Sequence, residues 1–196
     1  MDETQAVAGP DGLLRCPWGV KPEDYREYHD AEWGRPLRGD DALFERLCLE
    51  AFQSGLSWLT ILRRREGFRE AFAGFVIEKV AAFTEEDAAR LLEDPRIIRN
   101  RLKIQATLSN ARVLADWAGG ELTELIWSFA PDPAGRPAPK AHGDIPATTP
   151  ESTALSKELR RRGLRFVGPT TAYALMQACG LVNDHLADCH ARPFGR

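Results

Sequence analysis

Two pairs of metal-type ligands stand at opposite ends of this chain, and they constrain its fold more than any other feature. R-C-P-W-G followed by Y-H-D-A-E-W-G places Cys16 and His29 with twelve residues between them. N-D-H-L-A-D-C places His185 and Cys189 with three between them. Two cysteines and two histidines suit tetrahedral zinc. A single ion taking all four ties the amino end of the fold to the carboxyl end. It leaves no coordination position for water, so the site is structural and not catalytic. His190, beside Cys189, competes with His185 for the ligand position. Cys48 and Cys179 lie on apolar stripes and read as small core residues.

The chain of 196 residues suits one domain, or one domain with a lobe, and 43% hydrophobic residues are enough for a core. No apolar run approaches the roughly 18 residues a membrane span needs. The acidic M-D-E-T-Q-A-V-A-G-P start lacks the basic and apolar parts of a secretory signal, and the expectation is a cytoplasmic protein. In that compartment four cysteines point to thiols or metal ligands over disulfides. A net charge of −3 is no footprint for nucleic acid, but the charge is uneven. K-E-L-R-R-R-G-L-R, from Lys157 to Arg165, sets five bases against Glu158. R-I-I-R-N-R-L-K, from Arg96 to Lys103, carries four bases and no acid, and Arg63, Arg64 and Arg65 stand together. Each run alone reads as a solvated helix face.

Helical periodicity recurs along the chain and no alternating strand pattern appears. Leu43, Phe44, Leu47, Cys48, Ala51 and Phe52 form one stripe, and Glu50 falls on its edge, a carboxylate turned partly inward. Thr84 and Asp87 form a capping box. Pro95 ends that helix, and the next is expected from about Arg96 to Trp117. Residues 130–150 hold six prolines and read as a long, mobile surface loop. A helix over about Glu151–Arg162, with Gly163 past its end, leads to the turn Phe166-Val167-Gly168-Pro169 and a second helix. Gly168 permits a tight backbone there. Free amides around Thr170, with Arg165 and its neighbours alongside, suit a phosphate. An ordinary helical corner explains the same residues.

Trp18, Tyr25, Tyr28, Trp33 and Trp58 cluster in the first third of the chain among glycine, proline and charged residues. Aromatics usually mean core. Here, with Glu50 nearby, they also suit a flat cationic heterocycle, stacked on the rings and paired with the acid.

These stretches make the chain resemble the 3-methyladenine DNA glycosylase I family, the constitutive bacterial alkylation-repair glycosylases. The resemblance runs from about Arg15 to Cys189. It is carried by R-C-P-W-G, Y-H-D-A-E-W-G-R-P, L-C-L-E-A-F-Q-S-G-L-S-W-L-T-I-L, I-I-R-N-R-L-K-I-Q-A and F-V-G-P-T-T-A-Y-A-L-M-Q-A-C-G-L-V-N-D-H, five blocks in order. It implies an all-α helix-hairpin-helix glycosylase fold with a zinc-bearing extension joining the two ends. On that basis residues 1–14 are a flexible extension and 15–196 one glycosylase domain, with the hairpin at about 151–180 and the zinc-binding ends at 15–30 and 183–190. It implies one structural zinc on Cys16, His29, His185 and Cys189, Glu50 as the base-reading carboxylate and Tyr28 as its hydrogen-bonding partner. Trp18, Tyr25, Trp33 and Trp58 become pocket walls, with Trp58 the stacking platform. Arg165, Phe166, Val167, Gly168 and Thr170 become the DNA-gripping hairpin, and Leu56 the wedge that fills the gap left by a flipped base. Pro169 in the hairpin, the proline-rich loop and the longer amino end depart from the family pattern, and none of them touches the set of pocket residues just named.

The implied activity is hydrolytic excision of 3-methyladenine from double-stranded alkylated DNA by a monomer, with no membrane partner. The implied base is already cationic and its sugar bond weak, so no strong general acid is needed. Asp184 has two readings, a water activator or a support for the neighbouring ligand His185, and the second is the simpler. Three other functions fit parts of the pattern: a glycosylase for another cationic purine, a non-enzymatic binder of damaged DNA, and a zinc hydrolase. A closed metal site argues against the last.

Overall fold

A computed structural model describes residues 5–195, apart from the side chain of Phe194. The fold is mostly helical, with helices α1 Glu23–Ala31, α2 Asp40–Gln53, α3 Trp58–Leu62, α4 Arg65–Ala71, α5 Ile77–Ala81, α6 Glu85–Glu93, α7 Arg101–Ala115, α8 Glu121–Ser128, α9 Pro150–Arg161 and α10 Pro169–Ala178. Among the described residues the only strands are those of a two-stranded antiparallel ribbon, β1 Val7–Ala8 on β2 Leu14–Arg15. Strands this short carry no alternation to read. The ribbon lies largely within the extension expected over residues 1–14, of which 1–4 fall outside the described residues. No helix among the described residues is long and apolar enough to cross a membrane.

α2 is the central helix. Every residue from Leu43 to Phe52 is buried except Glu45, and the helix packs against α10, α3, α8 and α7. The burial of Arg46 and Glu50 on this helix sets up the site described below. The capping box of Thr84 and Asp87 opens α6. α7 starts later than the periodicity predicts, at Arg101. Asp94 accepts from the Arg96 backbone and side chain, turning the chain at Pro95 and Arg96, and after an irregular stretch the Asn100 side chain caps the Lys103 amide at 3.2 Å. An Asn N-cap outcompetes an apolar pattern that runs on past it.

The 130–150 loop is tied down at several points. Arg136 donates to Asp184 at 2.9 Å and to the Tyr173 hydroxyl at 3.0 Å, and the Pro139 carbonyl accepts from the Ala187 N–H at 2.7 Å. Ile145 packs against the core. The proline- and glycine-rich segment forms a loop as expected, interrupted by short 3-10 turns at Pro133–Gly135 and His142–Asp144, but its contacts are with residues far along the chain.

Candidate functional site

The four metal-type ligands converge. Cys16 leads into a 3-10 turn, Pro17–Gly19, His29 sits on α1, and His185 and Cys189 lie in the turns after α10. All four are buried, and their ligand atoms lie within 4.8 Å of one another. Cys189 Sγ is 3.5 Å from His29 Nε2 and 3.6 Å from His185 Nδ1, and Cys16 Sγ is 3.9 Å from His185 Nδ1. Sulfur at about 2.3 Å and nitrogen at about 2.05 Å from one tetrahedral zinc lie about 3.6 Å apart. The donor set and its spacing therefore fit zinc. Hydrogen bonding from the Cys16 thiol and both imidazoles pulls the Cys189 thiol well below its ordinary range, as a thiolate ligand requires. Gly19 makes the approach of His29 feasible, because a Cβ there would lie 2.4 Å from the imidazole ring.

Asp30 supports this centre. Its carboxylate takes His29 Nδ1 at 2.8 Å, His190 Nε2 at 3.0 Å and Arg15 Nη2 at 2.7 Å. Burial works against its charge, yet the bonds from Arg15, His29 and His190 outweigh burial and hold the carboxyl well below the usual range. Arg15 is itself buried and also pairs with Asp11. His190 thus serves Asp30 and leaves the ligand position to His185. Asp184 does not support His185, contrary to the simpler sequence reading. Its oxygens take Tyr173, Gln177 and Arg136, while His185 Nε2 lies 3.0 Å from the Trp33 carbonyl. Asp184 is buried and does not line the pocket, which disfavours the water-activator reading too.

Beside the ligand cluster lies a cavity of about 320 Å³ lined by Trp18, Tyr25, Tyr28, Trp33, Glu50 and Trp58. All six residues singled out in the sequence meet there. Gln53, His142, Ile145, Ala174 and Gln177 complete the wall and were not anticipated. His142 and Ile145 come from the proline-rich loop, which carries no local signal for a pocket. Trp58 opens α3, where the Ser57 side chain caps the Thr60 amide. The Tyr28 ring centre lies 5.4 Å from Trp58 and 6.4 Å from Trp18, so the two tryptophans flank it. Trp18 also packs edge-on against His29, and Trp33 against His185. The pocket wall and the ligand cluster are therefore one packed unit.

The pocket floor is electrically unusual. Arg46, one turn before Glu50 on α2, is buried and donates to the Tyr28 hydroxyl at 2.9 Å. Arginine offers no acceptor, so the phenol keeps its own hydrogen to donate. Burial raises the Tyr28 pKa and keeps it protonated. Glu50 is 5% exposed, and no hydrogen bond among the described residues reaches its carboxylate. Burial pushes its pKa up to about 7, against the lowering influence of Arg46. The Trp58 indole N–H is also buried without a hydrogen-bond partner. Such groups are costly unless something pairs with them. Arg46 has a sequence signature only in hindsight, as a base one turn from an inward-facing acid.

The predicted DNA-contacting residues divide. Leu56 is 41% exposed and Phe166 is 40% exposed, and Arg165 and Thr170 are also on the surface. Val167 is not available as a side-chain contact. It is buried, and its carbonyl accepts from Ser156 at 2.6 Å. The tight residue in this turn is Phe166, at φ 58°, and not Gly168, which is extended at φ −66°. The basic run beside it is partly neutralised. Arg161 and Arg162 bond to Glu158, and Arg162 also reaches Glu121. In the other runs Arg96 pairs with Asp94, Arg63 with Asp24 and Arg65 with Glu32, while Lys103 is buried.

The sequence profile of the methyladenine glycosylase family matches residues 18–192. DNA-3-methyladenine glycosylase 1 of Escherichia coli (strain K12) is 45% identical over 183 residues, which cover 92% of this chain and 98% of that protein. A crystal structure of a 3-methyladenine DNA glycosylase I superposes with a TM-score of 0.85 at 44% identity, covering 91% of this chain and 100% of the other. Another, a variant of such an enzyme crystallised in complex with 3-methyladenine, gives 0.82 at 35% identity, covering 93% and 99%.

Proposed function

The chain belongs to the methyladenine glycosylase family, and on that premise we infer that it is a monofunctional DNA glycosylase of base-excision repair. It finds 3-methyladenine in alkylated DNA, turns the base out of the helix and hydrolyses its bond to deoxyribose. The observation that carries the reading at the level of residues is the buried, unpaired carboxylate of Glu50 between aromatic walls. A purine methylated at N3 is cationic in DNA and offers amino hydrogens. It pairs with Glu50 in both respects, whereas normal adenine brings no charge. The buried Arg46 beneath the floor helps to keep a share of Glu50 ionised against the cost of burial, and it is the ionised form that attracts a cationic base.

Tyr28 donates its remaining hydrogen to the base edge, and Trp58 supplies the stacking face. Trp18, Tyr25 and Trp33 close the walls. When the glycosidic bond breaks, its electrons pass to the purine, which leaves neutral. Water adds to the sugar carbon and releases a proton. Because the leaving group carries its own positive charge, the protein's task is to hold and desolvate the base, and no residue is required as a strong acid.

Double-stranded DNA is the proposed substrate form and the monomer the proposed state. The turn between α9 and α10 is assigned as the hairpin of a helix-hairpin-helix grip. Exposed Phe166, Arg165 and Thr170 and the helix start after Gly168 support this. Leu56, exposed on the loop after α2, is assigned as the wedge that enters the gap left by the flipped base. Cys16, His29, His185 and Cys189 would hold one zinc, which when bound supplies a cross-link and no catalytic chemistry. The deciding experiment incubates the protein with methylated duplex DNA and separates the released bases by chromatography. Release of 3-methyladenine is expected. Binding of the damaged duplex with no base released would support a damage-recognition module instead, and preferential release of a different methylated purine would move the lesion assignment.

A further inference from the structure

α7 touches both segments assigned to DNA, and it does so through two buried polar side chains. At its start Lys103 Nζ donates to the Phe52 carbonyl at 2.9 Å and the Ser54 carbonyl at 2.6 Å. These groups end α2, where helix carbonyls lack intrahelical donors and carry the negative end of the dipole. The ammonium fixes the direction in which the chain leaves α2 toward Gly55 and Leu56. Two turns further along, the Asn110 amide donates to the Arg165 carbonyl at 3.0 Å and accepts from the Arg165 N–H at 2.8 Å. That reciprocal pair fixes the residue before Phe166, whose positive φ is held only where surroundings impose it. Seven residues apart, Lys103 and Asn110 share one face of α7 about 10 Å apart along its axis. Neither lines the pocket.

We propose that Lys103 and Asn110 are positioning residues, and that α7 acts as a spacer holding the Leu56 wedge and the Phe166 turn at the separation one DNA duplex requires. The proposal rests on the glycosylase reading and goes beyond it. The wedge and the turn each present an exposed apolar side chain on a short loop. Two flexible loops would engage a rigid duplex in register only part of the time. Pinning both to the same rigid helix removes that loss before binding occurs.

The plain alternative is that both side chains merely satisfy buried backbone groups and support folding. Lys103→Met and Asn110→Asp separate the two, the second keeping shape and one of its two bonds. For each variant we would measure thermal unfolding, binding of free 3-methyladenine by tryptophan fluorescence, duplex binding by anisotropy on an abasic-analogue duplex, and KM and kcat on methylated duplex. For folded variants the expected result is a rise of about tenfold in KM and duplex Kd, exceeding any fall in kcat, with free-base affinity kept. The double variant should lose less than the product of the single effects, because one misplaced element already breaks the register. Unchanged duplex Kd in both single variants overturns the proposal, as does a loss of free-base affinity that keeps pace with the duplex. If the wild-type protein releases no base, the glycosylase reading falls, and duplex Kd still decides whether α7 sets the spacing.

Discussion

Tyr28 and His29 are neighbours on α1, yet they belong to regions with opposite habits. His29 enters a cluster in which polar groups answer one another: Asp30 takes hydrogen bonds from His29, His190 and Arg15, and Cys189 approaches both imidazoles. Tyr28 enters a pocket in which polar groups remain open, with a free phenolic hydrogen, an unbonded Glu50 carboxylate and an orphaned Trp58 N–H. Successive helical residues point about 100° apart, so one helix serves both. The contrast separates a region built to hold itself from one built to hold something else. Burial alone does not make the distinction, since Tyr28 and His29 are both buried.

Breaking the self-satisfied side should have the largest effect. Chelation of the metal, or Cys16→Ser, is expected to lower the thermal midpoint by about 10 °C or more, since roughly 2–4 °C corresponds to 1 kcal/mol in a chain of this size. Elemental analysis should find one zinc per native chain and less in the variant. A metal-free native protein of unchanged stability would falsify the zinc assignment.

On the open side, Glu50→Gln removes charge and keeps shape. Losing one charge-assisted hydrogen bond costs roughly 1.5–3 kcal/mol, so excision should fall about 10- to 150-fold without vanishing. Stability should hold or rise, because a costly buried acid is gone. Normal excision by a folded Glu50→Gln protein removes its base-reading role.

The same group sets a pH dependence. The folded pKa of Glu50, about 7, lies above its ordinary 4.5, so the folded chain holds an extra proton between those values. Stability contributed by this group therefore falls as pH rises through that window. Attraction for a cationic base moves the opposite way and grows as Glu50 ionises. The kcat/KM profile should climb toward pH 7 by at most about tenfold per unit and flatten in Glu50→Gln. An identical limb in that variant assigns the titration elsewhere.

The smallest effect tests a region outside both, the turn between α9 and α10. A Cβ at Gly168 would meet nothing within 4 Å, and its φ suits any residue. Gly168→Leu should leave the midpoint and free-base binding unchanged while weakening duplex binding by about tenfold, or roughly 1.4 kcal/mol. Full duplex affinity in this variant would place the backbone grip outside this turn.

What was legible in the sequence follows the same division. The ligands and the pocket aromatics stand in short local blocks, and their chemistry is visible residue by residue. The stripe on α2 placed Glu50 at an inward edge before its surroundings were known. Arg15, Arg46, Lys103 and Arg136 were not legible as structural residues, because basic side chains are ordinarily exposed. Their partners lie elsewhere in the fold: Lys103 meets the end of α2, and Arg136 meets Asp184. In the run from Lys157 to Arg165, the one set beside a phosphate-type helix start, Arg161 and Arg162 are spent on Glu158 and Glu121 within the protein. That the Val167 side chain faces the core was not legible, because a turn residue's face depends on φ at Phe166, which no local pattern announces.

The closure of the chain on itself has a consequence for how the protein is made. His29 and Cys189 are 160 residues apart in sequence. At about 5–20 residues per second, a ribosome releases the second roughly 8–30 seconds after the first. During that interval α1 and the aromatics around it have emerged, but His185 and Cys189, which pack against Trp33 and His29, have not. The proposed base pocket thus gains its last bracing residues only once Cys189 has been made, about 160 residues after the helix that carries Tyr28.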